Sequence, residues 1–266
     1  MIRLRILGCS GGIGGPTRRT TSYALNDTVL IDAGTGVGDL SLDELARIDH
    51  VVLTHAHLDH IACLPLMADS VIALRTTPLQ VWALPDVIGI LAKHVFNDLV
   101  WPDFTKIPDP SNPFVTLNPL PTDRPLKVAG LQFTPLPASH GIPACGYRVE
   151  RDGVALAFSG DTGDCPAFWE KLEGDDALRA VVVECSYPSR MADMALLTMH
   201  MDESSLKDRL AALPASTAAI LIHRKPGLED EIMREWQHWH ALHADCDLRL
   251  PLHGQVYTFS ATATPV

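Results

Sequence analysis

Seven residues, Thr54-His55-Ala56-His57-Leu58-Asp59-His60, constrain this chain more than any other stretch. They place three imidazoles and a carboxylate directly after the apolar run Val51-Val52-Leu53. That run reads as a buried strand, so the ligand-rich segment begins where a strand passes into a loop. In extended backbone the side chains at i and i+2 project to the same side, and His55 and His57 can then grip one cation together. On a helix the same two residues face apart. Asp59 and His60 are expected to enter a helix announced by Ile61, Leu64, Met67 and Ala68, from which they can point at a second cation beside the first. Imidazole with carboxylate suits Zn²⁺ and its first-row neighbours. The chain has 12 His, but chance clustering does not account for this order, spacing and strand-end placement together.

The rest of the chain repeats the theme of a strand that ends in a polar residue. Arg3 to Leu7 reads as a strand running into the glycine-rich loop Gly8-Cys9-Ser10-Gly11-Gly12-Ile13-Gly14-Gly15. That loop lacks the Lys-Ser/Thr ending of a nucleotide P-loop, so a permissive turn near a site is its expected role. Ser22–Leu25 and Thr28–Ile31 form a hairpin around Asn26-Asp27 and end in Asp32, placed to support a ligand loop by hydrogen bonds. Ser41 caps a helix to Arg47, with Glu44 completing a capping box. A strand pair is expected at Val71–Leu74 and Leu79–Ala83, and a helix over Pro85–Asp98. Prolines crowd the stretch from Trp101 to Pro125, which reads as an irregular lid or excursion.

Beyond it, a hairpin turns at Ala129-Gly130, and Gly146–Val149 pairs with Val154–Phe158. Strands over 180–183 and 217–222 end in Glu184 and His223, helices cover 203–213 and 230–243, and Gln255–Phe259 closes a sheet. This rhythm predicts an α/β fold of two β-sheets packed face to face with helices outside. Length predicts a single domain over 1–266, with halves of about 1–125 and 126–266.

The formal net charge is −11, so the global field repels polyanions. Long nucleic acid is not an expected partner, whereas a small phosphate ester is compatible, since two divalent cations would invert the local field. Six cysteines never form C-x-x-C and read as reduced, buried thiols. No apolar segment is long enough for a signal peptide or a membrane span, so the expected location is cytoplasmic, with no membrane partner. A homodimer is compatible with the sequence. Strand ends also deliver His140, Asp161 and His223, which with the first segment supply two open coordination spheres. His140 can join His55 and His57; His223 can join Asp59 and His60; Asp161 can bridge.

In order and rough spacing, His55-Ala56-His57-Leu58-Asp59-His60, His140, Ser159-Gly160-Asp161-Thr162 and His223 resemble the ligands of the metallo-β-lactamase superfamily. The resemblance implies an αββα sandwich, two mixed sheets with a dinuclear site between them. Zn²⁺ is its usual metal, with Mn²⁺ or Fe²⁺ as alternatives. It implies that His55, His57 and His140 hold one metal, that Asp59, His60 and His223 hold the other, and that Asp161 bridges. Leu7-Gly8-Cys9-Ser10-Gly11-Gly12, Thr21-Ser22-Tyr23 and His223-Arg224-Lys225-Pro226 look most like class II cyclic-nucleotide phosphodiesterases.

That branch implies hydrolysis of a 3′,5′-cyclic nucleotide by a hydroxide bridging the metals. Asp59 would orient the nucleophile, and His200, held by Glu184, would assist the leaving alcohol. Rival readings are a tRNA 3′-end processing endonuclease, a cyclic phosphodiesterase of another metabolite, and a non-catalytic metal-binding scaffold. The endonuclease needs an arm and a basic surface, and 101–125 offers only Lys106 and Arg124 as cations.

Overall fold

The computed structural model describes residues 1–121 and 123–261. At the N terminus the alternation Ile2, Leu4, Ile6 against Arg3, Arg5 buries one face of β1 (Ile2–Gly8) and leaves the other half-buried. β2 (Ser22–Leu25) and β3 (Val29–Ile31) follow as a hairpin. Its turn residues Asn26 and Asp27 have φ of 49° and 62°, a left-handed conformation that short polar side chains tolerate. α1 (Leu42–Arg47), β4 (His50–Val52), α2 (Leu58–Ile61), α3 (Leu64–Ser70), β5 (Leu79–Ala83) and α4 (Pro85–His94) come next. Two short strands, β6 (Pro108–Asp109) and β7 (Asn112–Pro113), form a small hairpin before β8 (Val115–Pro119).

The second half lays down β9 (Leu126–Val128), β10 (Leu131–Pro137), β11 (Cys145–Arg151) and β12 (Val154–Phe158) as an antiparallel meander. α5 (Pro166–Glu170), β13 (Leu178–Glu184), α6 (Ala192–Thr198), α7 (Glu203–Ala211), β14 (Ala218–Ile222), α8 (Glu229–Leu242), β15 (Leu248–Arg249) and β16 (Val256–Phe259) complete it. The two sheets run β16-β1-β2-β3-β4-β5-β8 and β15-β14-β13-β12-β11-β10-β9. β16 thus crosses back to close the edge of the first sheet.

The inner faces make one core, in which Leu4, Ile6, Tyr23 and Val52 meet Phe133, Tyr147, Phe158 and Val182. β13 shows why an all-apolar strand is needed here. Ala180 and Val182 point into this core, while Val181 and Val183 point out against Phe168, Leu206 and Trp236 of α5, α7 and α8. Helices α1, α3 and α4 cover the outer face of the first sheet through Leu45, Leu64, Met67, Val87 and Leu91. The result is the predicted sandwich of two mixed sheets between helices. Two bonds pin the sheets together where the ligand segment begins. The Tyr147 hydroxyl donates to the Leu53 carbonyl at 2.6 Å, and Cys145 N to the Thr54 carbonyl at 3.1 Å.

Three expectations need correction. Val71–Leu74 is a turn, because Leu74 N and Arg75 N both bond the Val71 carbonyl and leave no group for a ladder. The helix after His57 is interrupted. The His60 carbonyl accepts from Ala33 N at 2.6 Å and Cys63 N donates to the Ala33 carbonyl at 2.9 Å, so the end of β3 takes two groups from the helical pattern. The stretch from Trp101 to Pro125 is no lid. Buried Phe104 packs on Phe96, Trp101 and Phe114, and β8 pairs in parallel with β5, with Pro119 tolerated on an edge. No described helix is long and apolar enough to cross a membrane.

α1 carries the predicted capping box. Glu44 N donates to the Ser41 hydroxyl oxygen, and Ser41 N donates to the Glu44 carboxylate, which also meets Arg5. These partners hold the Glu44 carboxyl at about 2, below its ordinary 4.5. Its folded pKa is depressed, so its contribution is complete above 4.5 and is lost as pH falls from 4.5 toward 2. Glu44→Gln keeps the box but not the charge. It should lower Tm at pH 7 by at most about 3 °C and flatten the acid limb of Tm against pH, measured by circular dichroism.

Candidate metal centre

Asp32, at the end of β3, is fully buried and adopts φ 57°. A carboxylate in that position must be saturated with donors. It accepts from Thr54 N at 2.8 Å, from the Thr54 hydroxyl at 2.8 Å and from His60 Nδ1 at 2.7 Å. With its proton given to Asp32, the Thr54 oxygen is free to accept from His55 Nδ1 at 3.0 Å. Both imidazoles therefore carry hydrogen on Nδ1 and present the Nε2 lone pair.

The second sheet supplies the matching device. Glu184, at the end of β13, is fully buried. It accepts from Thr162 N at 2.7 Å, from the Ser186 hydroxyl at 2.6 Å, from Met201 N at 3.3 Å and from His200 Nδ1 at 2.8 Å. Ser186 in turn accepts from His223 Nδ1 at 3.0 Å, and the Met199 carbonyl accepts from His140 Nδ1 at 3.1 Å. His140 and His223 are thereby left with Nε2 free as well. Asp32, Gly160, Met199 and His223 all adopt left-handed φ, between 54° and 63°, and in Met199 and His223 that conformation carries a backbone cost.

The free atoms converge on two neighbouring points. His55 Nε2 and His140 Nε2 each lie 3.1 Å from His57 Nδ1. Tetrahedral Zn²⁺ with bonds of about 2.0–2.1 Å sets its nitrogens about 3.3 Å apart, so three such nitrogens fit one cation. Beside them, His223 Nε2 is 3.3 Å from both Asp59 Oδ2 and Asp161 Oδ2, and His60 Nε2 is 3.2 Å from Asp161 Oδ1. Asp161 belongs to both groups. Among the described residues these two buried atoms, His60 Nε2 and Asp161 Oδ1, face each other and have no other hydrogen-bond partner. Orphans of this kind are costly unless a cation sits between them, and the nitrogen-and-carboxylate set suits a divalent one.

Charge follows the same division. Burial pushes His55 well below its ordinary pKa, and burial with neighbouring imidazoles lowers His57 and His140, so all three keep free lone pairs. Burial works to raise Asp161 and Asp59, but the surrounding imidazoles outweigh it and hold both carboxyls ionised. His60 is opposed by burial yet lifted well above its usual value by Asp161 and Asp32 on its two sides. A cation bound there takes the place of that proton.

The structure thus gathers all seven candidate ligands, His55, His57, Asp59, His60, His140, Asp161 and His223, from four segments, those that follow β4, β10, β12 and β14. Glu184 and His200 stand against them: the His200 ring centroid is 5.3 Å from that of His140 and 5.2 Å from that of His223. Arg18 and Arg19, which follow the glycine-rich loop, pair with Glu229 and Asp39. Sequence reasoning missed Ser186 as the link from Glu184 to His223, although two residues apart on extended backbone is the spacing that puts both on one side. The Met199 carbonyl has no sequence signal.

Among known proteins, residues 27–223 match the family described as the beta-lactamase superfamily domain. An uncharacterized protein of Mycobacterium tuberculosis is 28% identical over 210 residues, which is 73% of this chain and 72% of its own. The 3′,5′-cyclic-nucleotide phosphodiesterase 1 of Saccharomyces cerevisiae is 46% identical over 54 residues, 20% of this chain and 15% of its own. The crystal structure of unliganded yeast PDE1 superposes with a TM-score of 0.75 over 93% of this chain and 96% of that one. At 21% identity this last match is a likeness of fold.

Asp32→Asn keeps size and left-handed tolerance but replaces an acceptor of His60 Nδ1–H with an amide. We expect a folded protein whose divalent-metal affinity, measured by chelator competition, falls about 10- to 100-fold. Unchanged affinity would remove Asp32 from the support of the centre.

Proposed function

We propose, on the premise that the chain belongs to the β-lactamase superfamily, that it hydrolyses a small phosphodiester and that its substrate is a 3′,5′-cyclic nucleotide. The observation that carries this reading is the Glu184–His200 pair beside the two ligand groups. Opening a phosphodiester expels an alkoxide, which needs a proton in the transition state. Burial lowers the pKa of His200, but the hydrogen bond and charge of Glu184 outweigh it and raise the imidazole above its ordinary value. With Nδ1 engaged by Glu184, the proton available to a leaving oxygen is the one on Nε2.

Divalent cations held by the seven residues would supply Lewis acidity toward water and toward a phosphoryl oxygen. Zn²⁺ is the cation that a histidine-rich set with shared carboxylate favours. Asp59, half-buried, and Asp161, buried, are placed to accept the proton of an attacking water and to orient it. Lys225, whose Nζ lies 3.3 Å from the Gly11 carbonyl, adds a positive charge one residue past Arg224 for an anionic substrate. The local match to the yeast 3′,5′-cyclic-nucleotide phosphodiesterase supports the cyclic substrate. The charge of −11 supports a small one over a folded RNA. Six free cysteines, four of them buried, agree with a reducing, cytoplasmic setting.

On Zn²⁺-loaded protein, 3′,5′-cyclic AMP should be turned over and a pre-tRNA should not; the reverse pattern sinks the reading. His200→Ala should lower kcat for cyclic AMP about 10²- to 10⁴-fold. Bis(p-nitrophenyl) phosphate, whose leaving group needs no proton, should lose less than about tenfold. Equal losses on both substrates would deny His200 the proton-donor role. Asp59→Ala should remove about one equivalent of bound metal and all turnover while leaving the fold, read by circular dichroism, intact, because Asp59 contacts the centre and not the core. Activity retained against the nitrophenyl diester would count against the ligand assignment.

A further inference from the structure

A cavity of about 490 Å³ lies on the side of the His223 segment opposite the candidate metal centre, and nothing in the proposed reaction uses it. Its size is that of small-ligand sites, and its walls mix apolar surface with several polar and charged side chains. Met233 and Leu252 give apolar surface, Ser10 and Thr17 give hydroxyls, and Arg224 and Arg18 give cations.

Arg224 is the informative member. It is 5% exposed, and its guanidinium is anchored by the Leu221 carbonyl through Nη1 and the Pro251 carbonyl through Nη2, each at 2.7 Å. Carbonyls satisfy donors but do not neutralise charge, and among the described residues no ion pair joins Arg224 to a carboxylate. Burial keeps the neighbouring Cys9 thiol protonated despite Arg224, so it offers no counter-charge either. A buried, uncompensated guanidinium is expensive, and a guanidinium's fork is shaped for oxyanions.

Two acids share the wall with these cations. Glu229 is bound by Arg18 and by Gly227 N, and exposed Asp230 also lies within the field of Arg18, so Arg18 serves the acids and Arg224 is left without one. His253 has both ring nitrogens engaged, Nδ1 with the Leu7 carbonyl and Nε2 with Asp39.

We infer that this cavity binds a tetrahedral oxyanion, the phosphate group of a small metabolite or free phosphate, on Arg224, with the exposed Thr17 hydroxyl at its rim and the Arg18–Glu229 pair beside it. The site shares backbone with the candidate metal centre. His223 N donates to the Cys9 carbonyl at 2.7 Å and Gly11 N to the Arg224 carbonyl at 2.9 Å, so adjacent residues face the two sites. The inference does not depend on the proposed reaction.

Crystals of the metal-loaded protein soaked in selenate test it directly. Anomalous density within hydrogen-bond distance of the Arg224 guanidinium is expected; density at the metal centre alone, at saturating selenate, overturns the proposal. In solution, calorimetric titration of the metal-loaded protein with sulfate should show a site that Arg224→Gln weakens about tenfold or more. Arg18→Gln, on the exposed rim, should weaken it less. Identical isotherms in wild type and a folded Arg224→Gln, with metal content unchanged, also overturn it. Inorganic phosphate and glycerol phosphate, run as separate competitors, distinguish the two sources: tighter competition by the ester identifies a metabolite, equal competition the free ion.

Discussion

Two buried carboxylates, Asp32 and Glu184, govern what the rest of the centre can be. Each ends a strand in its own sheet, each is removed from water, and each is tolerable only because several donors converge on it. Glu184 takes the backbone N–H of Thr162 as Asp32 takes that of Thr54. In collecting donors they also fix which nitrogen of His60 and of His223 is left bare, the second through Ser186. An imidazole without such a partner is free to rotate or to present the wrong nitrogen. The order of the candidate ligands is therefore a consequence of satisfying two buried charges.

The scaffold supplies the energy for the unfavourable parts. Left-handed backbone at Met199 and His223 costs about 1–3 kcal/mol per residue and persists only where surrounding packing over-determines it. Here the packing is the inner core of the sandwich, together with the bonds from Tyr147 and Cys145 that lock the tip of β4 to β11. Because the side chains sit at strand ends and the strands are rigid, the free lone pairs stay aligned. A cation entering such a site meets donors already in place, with little ordering entropy left to lose.

The same backbone serves two faces. His223 leaves the end of β14 in left-handed backbone and belongs to the candidate metal centre, while Arg224, the next residue, lines the cavity behind it. The Gly-rich loop lies alongside both. A side chain on Gly11 would meet the His223 carbonyl at 2.6 Å and His223 Nδ1 at 3.0 Å, which explains why that position has none. The glycines are there for close approach, and the loop needs no phosphate of its own to justify them.

Much of this was legible locally. The His55–His60 spacing, the hairpin turn at Asn26-Asp27, the capping box of Ser41 and Glu44 and the apolar run of β13 each depend on neighbours in the chain, and local rules apply to them. The turn at Val71–Leu74 and the strand at Val115–Pro119 were misread. In the first a carbonyl was claimed by its own turn, and in the second β5 supplied partners that no nearby residue announces. By itself the sequence determined which residues could act as ligands and on which strand ends they stand, since both follow from residue chemistry and a period of two. Only the tertiary structure decided that His140, Asp161 and His223 meet the first cluster within bonding reach, which nitrogen each imidazole offers, and that Arg224 is buried without a counter-charge. Those facts arise from contacts between residues far apart in the chain, made when two sheets pack face to face, and spacing along one strand carries no record of them.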